Sequence, residues 1–130
     1  MNASSNGCPH APRLLIVDDE TAILTVLVAG LRHLGLDAHP ASNGPEAVAL
    51  LSRDPTAFPL ALVDVNLRGM SGLETVAALR RINPSMRCCL MTGEYVNARS
   101  LPAGVARIFS KPFGMSELSR ELLGLVRESG

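Results

Sequence analysis

Aromatic residues and excess charge are both scarce in this sequence of 130 residues, which contains no Trp, one Tyr and three Phe. Lys plus Arg equals Asp plus Glu at 12 each, and basic residues form no long run. A surface that binds nucleic acid normally clusters Lys and Arg around stacking aromatic side chains. The composition therefore argues against direct nucleic-acid binding by this chain.

Cysteine and long apolar runs are also limited. The three cysteines are an odd number, and Cys88 and Cys89 are adjacent in an apolar run, which favours core thiols in a reducing compartment over a disulfide framework. Residues 1–12 lack the basic start and apolar segment of a signal peptide. The longest nearly apolar stretch, Ile23–Leu31, is too short to span a bilayer. These features predict a cytoplasmic protein without a membrane partner.

The apolar content of 47% is sufficient for one domain with a real core. Residues 1–12, rich in Asn, Ser, Gly and Pro, are predicted to be a flexible tail, and residues 13–130 a single α/β domain. Strand and helix patterns alternate, which predicts a parallel sheet with helices on both faces. Predicted strands cover 13–17, 37–41, 60–64, 87–91 and 105–110, and predicted helices cover 21–34, 44–52, 72–82 and 115–127. Pro102 and Gly104 leave room only for a short or distorted extra helix at about 95–100.

Charged residues stand at the carboxyl ends of three predicted strands. Asp18 and Asp19 follow the first strand, Asp64 ends the third, and Lys111 follows the fifth. The carboxyl ends of parallel strands share one edge of the sheet, so we expect these side chains to converge. Two carboxylates about 4 Å apart repel by roughly 4 kcal/mol at an effective dielectric of 20. Such a cluster therefore requires a cation or a proton.

Hard carboxylate oxygens favour Mg²⁺ over a transition metal. A carboxylate beside Mg²⁺ is suited to attack a phosphoryl donor and form an acyl phosphate. Negative charge then accumulates on three equatorial phosphoryl oxygens. Lys111 and the hydroxyl of Thr92, which follows the fourth predicted strand, are placed to neutralise or bind such oxygens.

Each of these residues also has a simpler interpretation. Asp19 would suit the N-terminus of the following helix, Thr92 would suit the start of a helix at Tyr95, and a Lys before a proline is ordinarily a surface residue. A cis bond between Lys111 and Pro112 would instead direct the lysine inward. Their joint occurrence at strand ends favours the phosphoryl-transfer interpretation.

Four segments carry a resemblance to a known family: VDDE at 17–20, LVDVNLRGMSGLE at 62–74, LMTGE at 90–94 and SKPF at 110–113. With these motifs in order, residues 13–128 resemble the receiver domain of two-component response regulators. The resemblance implies a flavodoxin-like, doubly wound sheet of five parallel strands in the order 2-1-3-4-5, flanked by five helices. It also implies that the chain is not an enzyme, beyond catalysing its own phosphorylation and dephosphorylation.

The resemblance implies a set of Mg²⁺ ligands. Asp19, Asp64 and the backbone carbonyl of Asn66 are expected to bind the ion directly. Asp18 is expected to hold a metal-bound water.

The resemblance also implies roles in phosphoryl transfer. Asp64 is expected to be the phosphoacceptor, Thr92 the switch hydroxyl, and Lys111 the partner first of Asp64 and then of the phosphoryl group. Asn66 and Glu94 occupy positions at which the family tunes autodephosphorylation. The donor would be a phosphohistidine on a sensor histidine kinase or a histidine phosphotransfer protein.

Two positions depart from the family pattern. Arg68 replaces a usual Pro, and Ile108 replaces a usual Tyr or Phe of the last strand. Phe109 is adjacent, but in a strand it faces the opposite way. We therefore expect phosphorylation chemistry without the usual coupling between Thr and an aromatic residue.

Three functions remain open from the sequence. The first is a phosphorylation-dependent switch that signals through protein contacts, either as a stand-alone regulator or as part of a longer one. The second is a pseudo-receiver that is never phosphorylated. The third is a Mg²⁺-dependent phosphohydrolase, for which no motif supplies a second acid or a substrate pocket.

The first helix also suggests a docking patch. Ile23, Leu27 and Leu31 would form its core stripe, which would leave Leu24 and Val28 exposed on a neighbouring stripe. Exposed aliphatic residues are common without a function, but this pair could dock a helical partner.

Overall fold

The computed structural model describes residues 11–93 and 101–129, and these form five strands and four helices. The strands are β1 (Arg13–Val17), β2 (Asp37–Ala41), β3 (Leu60–Asp64), β4 (Arg87–Thr92) and β5 (Val105–Ser110). The helices are α1 (Thr21–His33), α2 (Gly44–Arg53), α3 (Gly72–Ile82) and α4 (Met115–Ser129). The sheet is parallel in the order β2-β1-β3-β4-β5, which confirms the predicted topology. The extra helix predicted at about 95–100 lies outside the described residues.

The sheet separates two hydrophobic clusters, because successive residues of a strand point to opposite faces. On β1, Leu15 and Val17 belong to the cluster beneath α2 and α3, whereas Leu14 and Ile16 belong to the cluster beneath α1 and α4. All five residues of β3 are buried, as expected for a central strand covered on both sides. The carboxyl ends of the strands, by contrast, carry polar side chains, including Asp64 and Thr92.

The helices that follow the carboxyl edge of the sheet begin in different ways. Ser71 and Glu74 form a capping box at the start of α3, with each side chain accepting a hydrogen bond from the other residue's backbone N–H. The N-cap of α1 is Glu20, which makes no side-chain capping bond. Asp19 therefore does not cap α1, and its carboxylate is available for another role.

The buried face of α1 differs from the predicted one. Leu24 is only 8% exposed and lies in the core with Leu27 and Leu31, while Ile23 and Val28 are partly buried against the same cluster. The proposed docking patch of Leu24 and Val28 is therefore wrong. The difference arises because α1 covers a cluster formed by residues of both the sheet and α4, so its buried face is wider than a single stripe.

Within the described ranges, no helix combines the length and apolarity needed to cross a membrane.

Candidate functional site

The carboxyl edge of the sheet brings the predicted polar residues together. Asp18 directly follows β1, Asp64 ends β3, Thr92 ends β4 and Lys111 directly follows β5. Oxygen atoms from the carboxylates of Asp18, Asp19 and Asp64 all lie within 4.8 Å of one another. Asp18, Asp64 and Thr92 are buried, so the charges of this cluster are only weakly screened by water.

Lys111 supplies positive charge to the cluster. Its Nζ lies 3.5 Å from Oδ2 of Asp64 and 3.7 Å from Oδ2 of Asp18, and the side chain is 25% exposed. Both distances exceed those of ordinary hydrogen bonds, so the ammonium forms ion pairs with the two acids. The peptide bond between Lys111 and Pro112 is cis. The two distances show that the Lys111 side chain is directed into the site, in contrast to the surface residue of the simpler interpretation.

Each of the three carboxylates is oriented by one backbone N–H group. Such bonds favour the ionised form of an acid and restrict its rotation. The pairs are Glu20 N–H to Asp18 Oδ1 at 2.9 Å, Asn66 N–H to Asp64 Oδ1 at 3.0 Å, and Arg68 N–H to Asp19 Oδ2 at 3.0 Å.

The donor set fits a hard divalent cation. Oδ2 of Asp18 is fully buried and accepts no hydrogen bond from the residues that the structure describes. A buried oxygen in that condition is costly unless an ion or water satisfies it. Burial raises the pKa of Asp18, and the neighbouring charge of Asp64 raises it further. Three carboxylates facing one ammonium leave an excess of negative charge, and oxygen ligands of this kind suit Mg²⁺.

Asp18→Asn is expected to make the metal-free protein more stable at neutral pH. The pKa of Asp18 in the folded state lies above its usual value of 3.8. The protonated Asp18 carboxyl therefore contributes its full stabilisation at a pH below 3.8, and this stabilisation is lost as the pH rises through the folded-state pKa. Asn does not ionise, so the stability of the variant does not decrease in this way as the pH rises. Denaturant unfolding in EDTA should show the stability advantage of the variant growing between pH 4 and pH 7. An equal difference at both pH values would contradict the raised pKa.

Residues 14–123 match the family model described as the response regulator receiver domain. The chain belongs to this family. The receiver domain is 32% identical over 123 residues to the "Transcriptional regulatory protein PrrA" of Mycobacterium leprae, and the match covers 92% of this chain and 52% of that protein. This chain therefore spans about half the length of that relative.

Solved receiver structures agree with this assignment. A CheY-like response regulator receiver domain protein from Methanospirillum hungatei JF-1 has a TM-score of 0.81 and 30% identity, with 92% of this chain and 96% of that chain covered. A receiver domain protein from Clostridium thermocellum has a TM-score of 0.82 at 22% identity, with 90% and 95% covered, and shows the likeness of fold alone.

The positions that depart from the family pattern have distinct environments in this receiver domain. Ile108 packs against the cluster beneath α2 and α3, whereas Phe109 packs against the opposite cluster. The expectation that Phe109 faces away from Ile108 is therefore confirmed. Glu94, predicted together with Asn66 to tune autodephosphorylation, lies outside the described residues.

Sequence reasoning missed the contact between Arg68 and Asp19. The backbone N–H of Arg68 donates to Oδ2 of Asp19, and its Nε lies 3.9 Å from the same oxygen on a side chain that is 94% exposed. These residues are 49 positions apart, and no local pattern signals the pairing. The positive charge of Arg68 thus lies at the rim of the acidic cluster.

Proposed function

We propose that this receiver domain is a phosphorylation-dependent switch that accepts a phosphoryl group on Asp64. The observation that supports the proposal best is the meeting of three carboxylates with the Lys111 ammonium at one end of the sheet. Of the three acids, Asp64 ends the central strand β3 and lies at the middle of this arrangement. Its 5% exposure would keep bulk water from competing with the donor.

The proposed reaction is a transfer between two oxygen or nitrogen nucleophiles. A carboxylate oxygen of Asp64 attacks the phosphorus atom, and the bond from phosphorus to the donor breaks as the leaving group departs with the bonding electrons. The product is an acyl phosphate. Attack by water at phosphorus later restores the carboxylate and releases inorganic phosphate.

The residues of the chain would share the charge that develops on the phosphoryl group. The Nζ of Lys111 lies 3.5 Å from Oδ2 of Asp64. After transfer, this ammonium would pair with a negatively charged phosphoryl oxygen. Thr92 would donate its hydroxyl to a second oxygen. The backbone N–H of Lys111 donates to the carbonyl oxygen of Thr92 at 2.7 Å. Because of this bond, a displacement of either residue would shift the backbone of the other.

Mg²⁺ is the proposed cofactor. Asp19, Asp64 and the carbonyl of Asn66 would bind it directly, and Asp18 would do so through a water molecule. When bound, the ion would offset the repulsion among the acids and the charge of the phosphoryl group.

The proposed donor is a phosphohistidine on a sensor histidine kinase or a histidine phosphotransfer protein. Output would run through contacts with another protein. Ile108 lacks the ring by which an aromatic residue would respond to movement of Thr92, so another part of the surface would have to report phosphorylation.

Incubation with Mg²⁺ and acetyl phosphate separates this proposal from its alternatives. The switch should gain one phosphoryl group per chain, which intact-protein mass spectrometry measures, and should lose it by hydrolysis over time. A pseudo-receiver would gain none. A phosphohydrolase would turn over other phosphate esters continuously, and either of these last results would overturn the proposal.

Mg²⁺ is also expected to stabilise the fold. At ten times its dissociation constant it should add about 1.4 kcal/mol to the free energy of unfolding, because it binds the folded cluster and not the unfolded chain. Asp19→Asn should remove most of this gain, whereas Asp54→Asn, on an exposed loop, should retain it. Melting curves with Mg²⁺ and with EDTA provide the measurement, and identical curves for the unmodified protein would refute the metal assignment.

A further inference from the structure

A cleft lies at the end of the sheet opposite Asp64. It has a volume of about 290 Å³, and its lining residues include Arg80 near the end of α3, Arg87 at the start of β4, and Gly104 just before β5. Arg87 and Thr92 are the first and last residues of β4. At about 3.3 Å per residue the two ends of this strand lie about 16 Å apart, so the cleft is separate from the acidic cluster.

The cleft is lined by basic side chains in a chain whose formal net charge is zero. Two arginines contribute to its wall, and none of the described residues that line it is an acid. Guanidinium groups bind phosphate through paired N–H donors. We propose that this cleft binds a small anion that carries a phosphate group.

Arg80 is held in place for such a role. Its Nη2 donates to the carbonyl oxygen of Pro84 at 2.9 Å. A guanidinium has five N–H donors, so this bond fixes the group without exhausting its capacity. Gly104, at a φ of 82°, lies against the arginine, and a Cβ there would be 3.0 Å from Cδ of Arg80. The glycine thus leaves space for the Arg80 side chain between α3 and the start of β5.

The lining and the size of the cleft restrict the class of ligand. Met86 and Cys88 are almost fully buried and provide an apolar part of the lining. Burial raises the pKa of the Cys88 thiol to about 12, so the sulfur adds no negative charge. A volume of about 290 Å³ lies just below the roughly 300–1,000 Å³ typical of small-molecule sites. A phosphate ester with a short organic group fits these properties better than a protein segment.

Amide chemical shifts of the whole chain test this proposal. Inorganic phosphate and glycerol 3-phosphate are titrated separately in EDTA at constant ionic strength, so that the acidic cluster repels both probes. We expect saturable shifts in residues 85–88 and 104–106, and tighter binding of the ester if the organic group contacts the apolar lining. Equal affinities for inorganic phosphate and glycerol 3-phosphate would show that the site binds the phosphate group alone. That result would still support an anion site.

Variants of the two arginines decide whether the cleft is responsible. Arg80→Gln and Arg87→Gln are each expected to weaken binding about tenfold or more, since each removes charged hydrogen bonds to the phosphate. Arg120→Gln, on the exposed face of α4, is the matched control and should leave the affinity unchanged. Arg87→Gln leaves the bond from Arg80 to Pro84 intact, so it remains informative if Arg80→Gln disturbs the fold. The absence of saturable shifts, or equal affinities in all three variants, would overturn the proposal.

Discussion

Asp64→Asn is expected to abolish phosphoryl incorporation from acetyl phosphate. The amide of Asn is a far weaker nucleophile than a carboxylate, and the variant retains the size and position of the side chain at the end of β3. Neither Asp18 nor Asp19 ends this central strand, so neither is expected to substitute. Intact-protein mass spectrometry should show a loss to below the detection limit.

Asp54→Asn is the matched control for this experiment. Asp54 is exposed and caps α2 at its C-terminal end, away from the acidic cluster. The Asp54→Asn variant should gain a phosphoryl group as efficiently as the unmodified protein. If Asp64→Asn still gains a phosphoryl group at a similar rate, Asp64 is not the acceptor.

Gly72→Ala is expected to destabilise the fold by about 1–3 kcal/mol, the usual cost of overpacking. A Cβ at residue 72 would contact the carbonyl oxygen of Asp64 and lie 2.7 Å from Cα of Val65. Both obstacles are backbone atoms, so the strand or the helix must shift. Denaturant unfolding measures the loss, and a decrease in phosphorylation rate should accompany it because the shift displaces Asp64.

Gly124→Ala is the same type of substitution, but we expect it to increase the stability of the protein. Gly124 lies within α4, and a Cβ there would meet no atom of the described part of the chain within 4 Å. Replacement of a helical Gly by Ala should therefore stabilise the protein by roughly 0.5–1 kcal/mol. Equal effects at the two positions would show that close approach of α3 to β3 is not what requires Gly72.

Strand positions were predictable because the apolar runs are short, continuous and bounded by polar or turn-forming residues. The predicted bounds of β1, β2, β3 and β5 agree with the structure, and β4 extends one residue further to include Thr92. The face of α1 was not predictable in the same way. This helix has aliphatic residues on several sides, including Val26, which is 62% exposed. The face that is buried covers a cluster formed by the sheet and by α4, both of which include residues distant in sequence.

The convergence of acids and lysine followed from the rule that parallel strands end at one edge. Other features of the site depend on tertiary geometry. The unpartnered oxygen of Asp18 and the bond from Arg68 to Asp19 arise from the way separate loops fold against each other. The cleft at the opposite end of the sheet likewise joins Arg80 to Gly104 across segments that have no shared sequence pattern.

Peptide mapping by mass spectrometry after treatment with acetyl phosphate, in parallel samples with Mg²⁺ and with EDTA, tests the central claim most directly. The account predicts a single phosphoryl group in the peptide that contains Asp64, formed only in the sample with Mg²⁺. A modification at another residue, or an equal yield in EDTA, would contradict it.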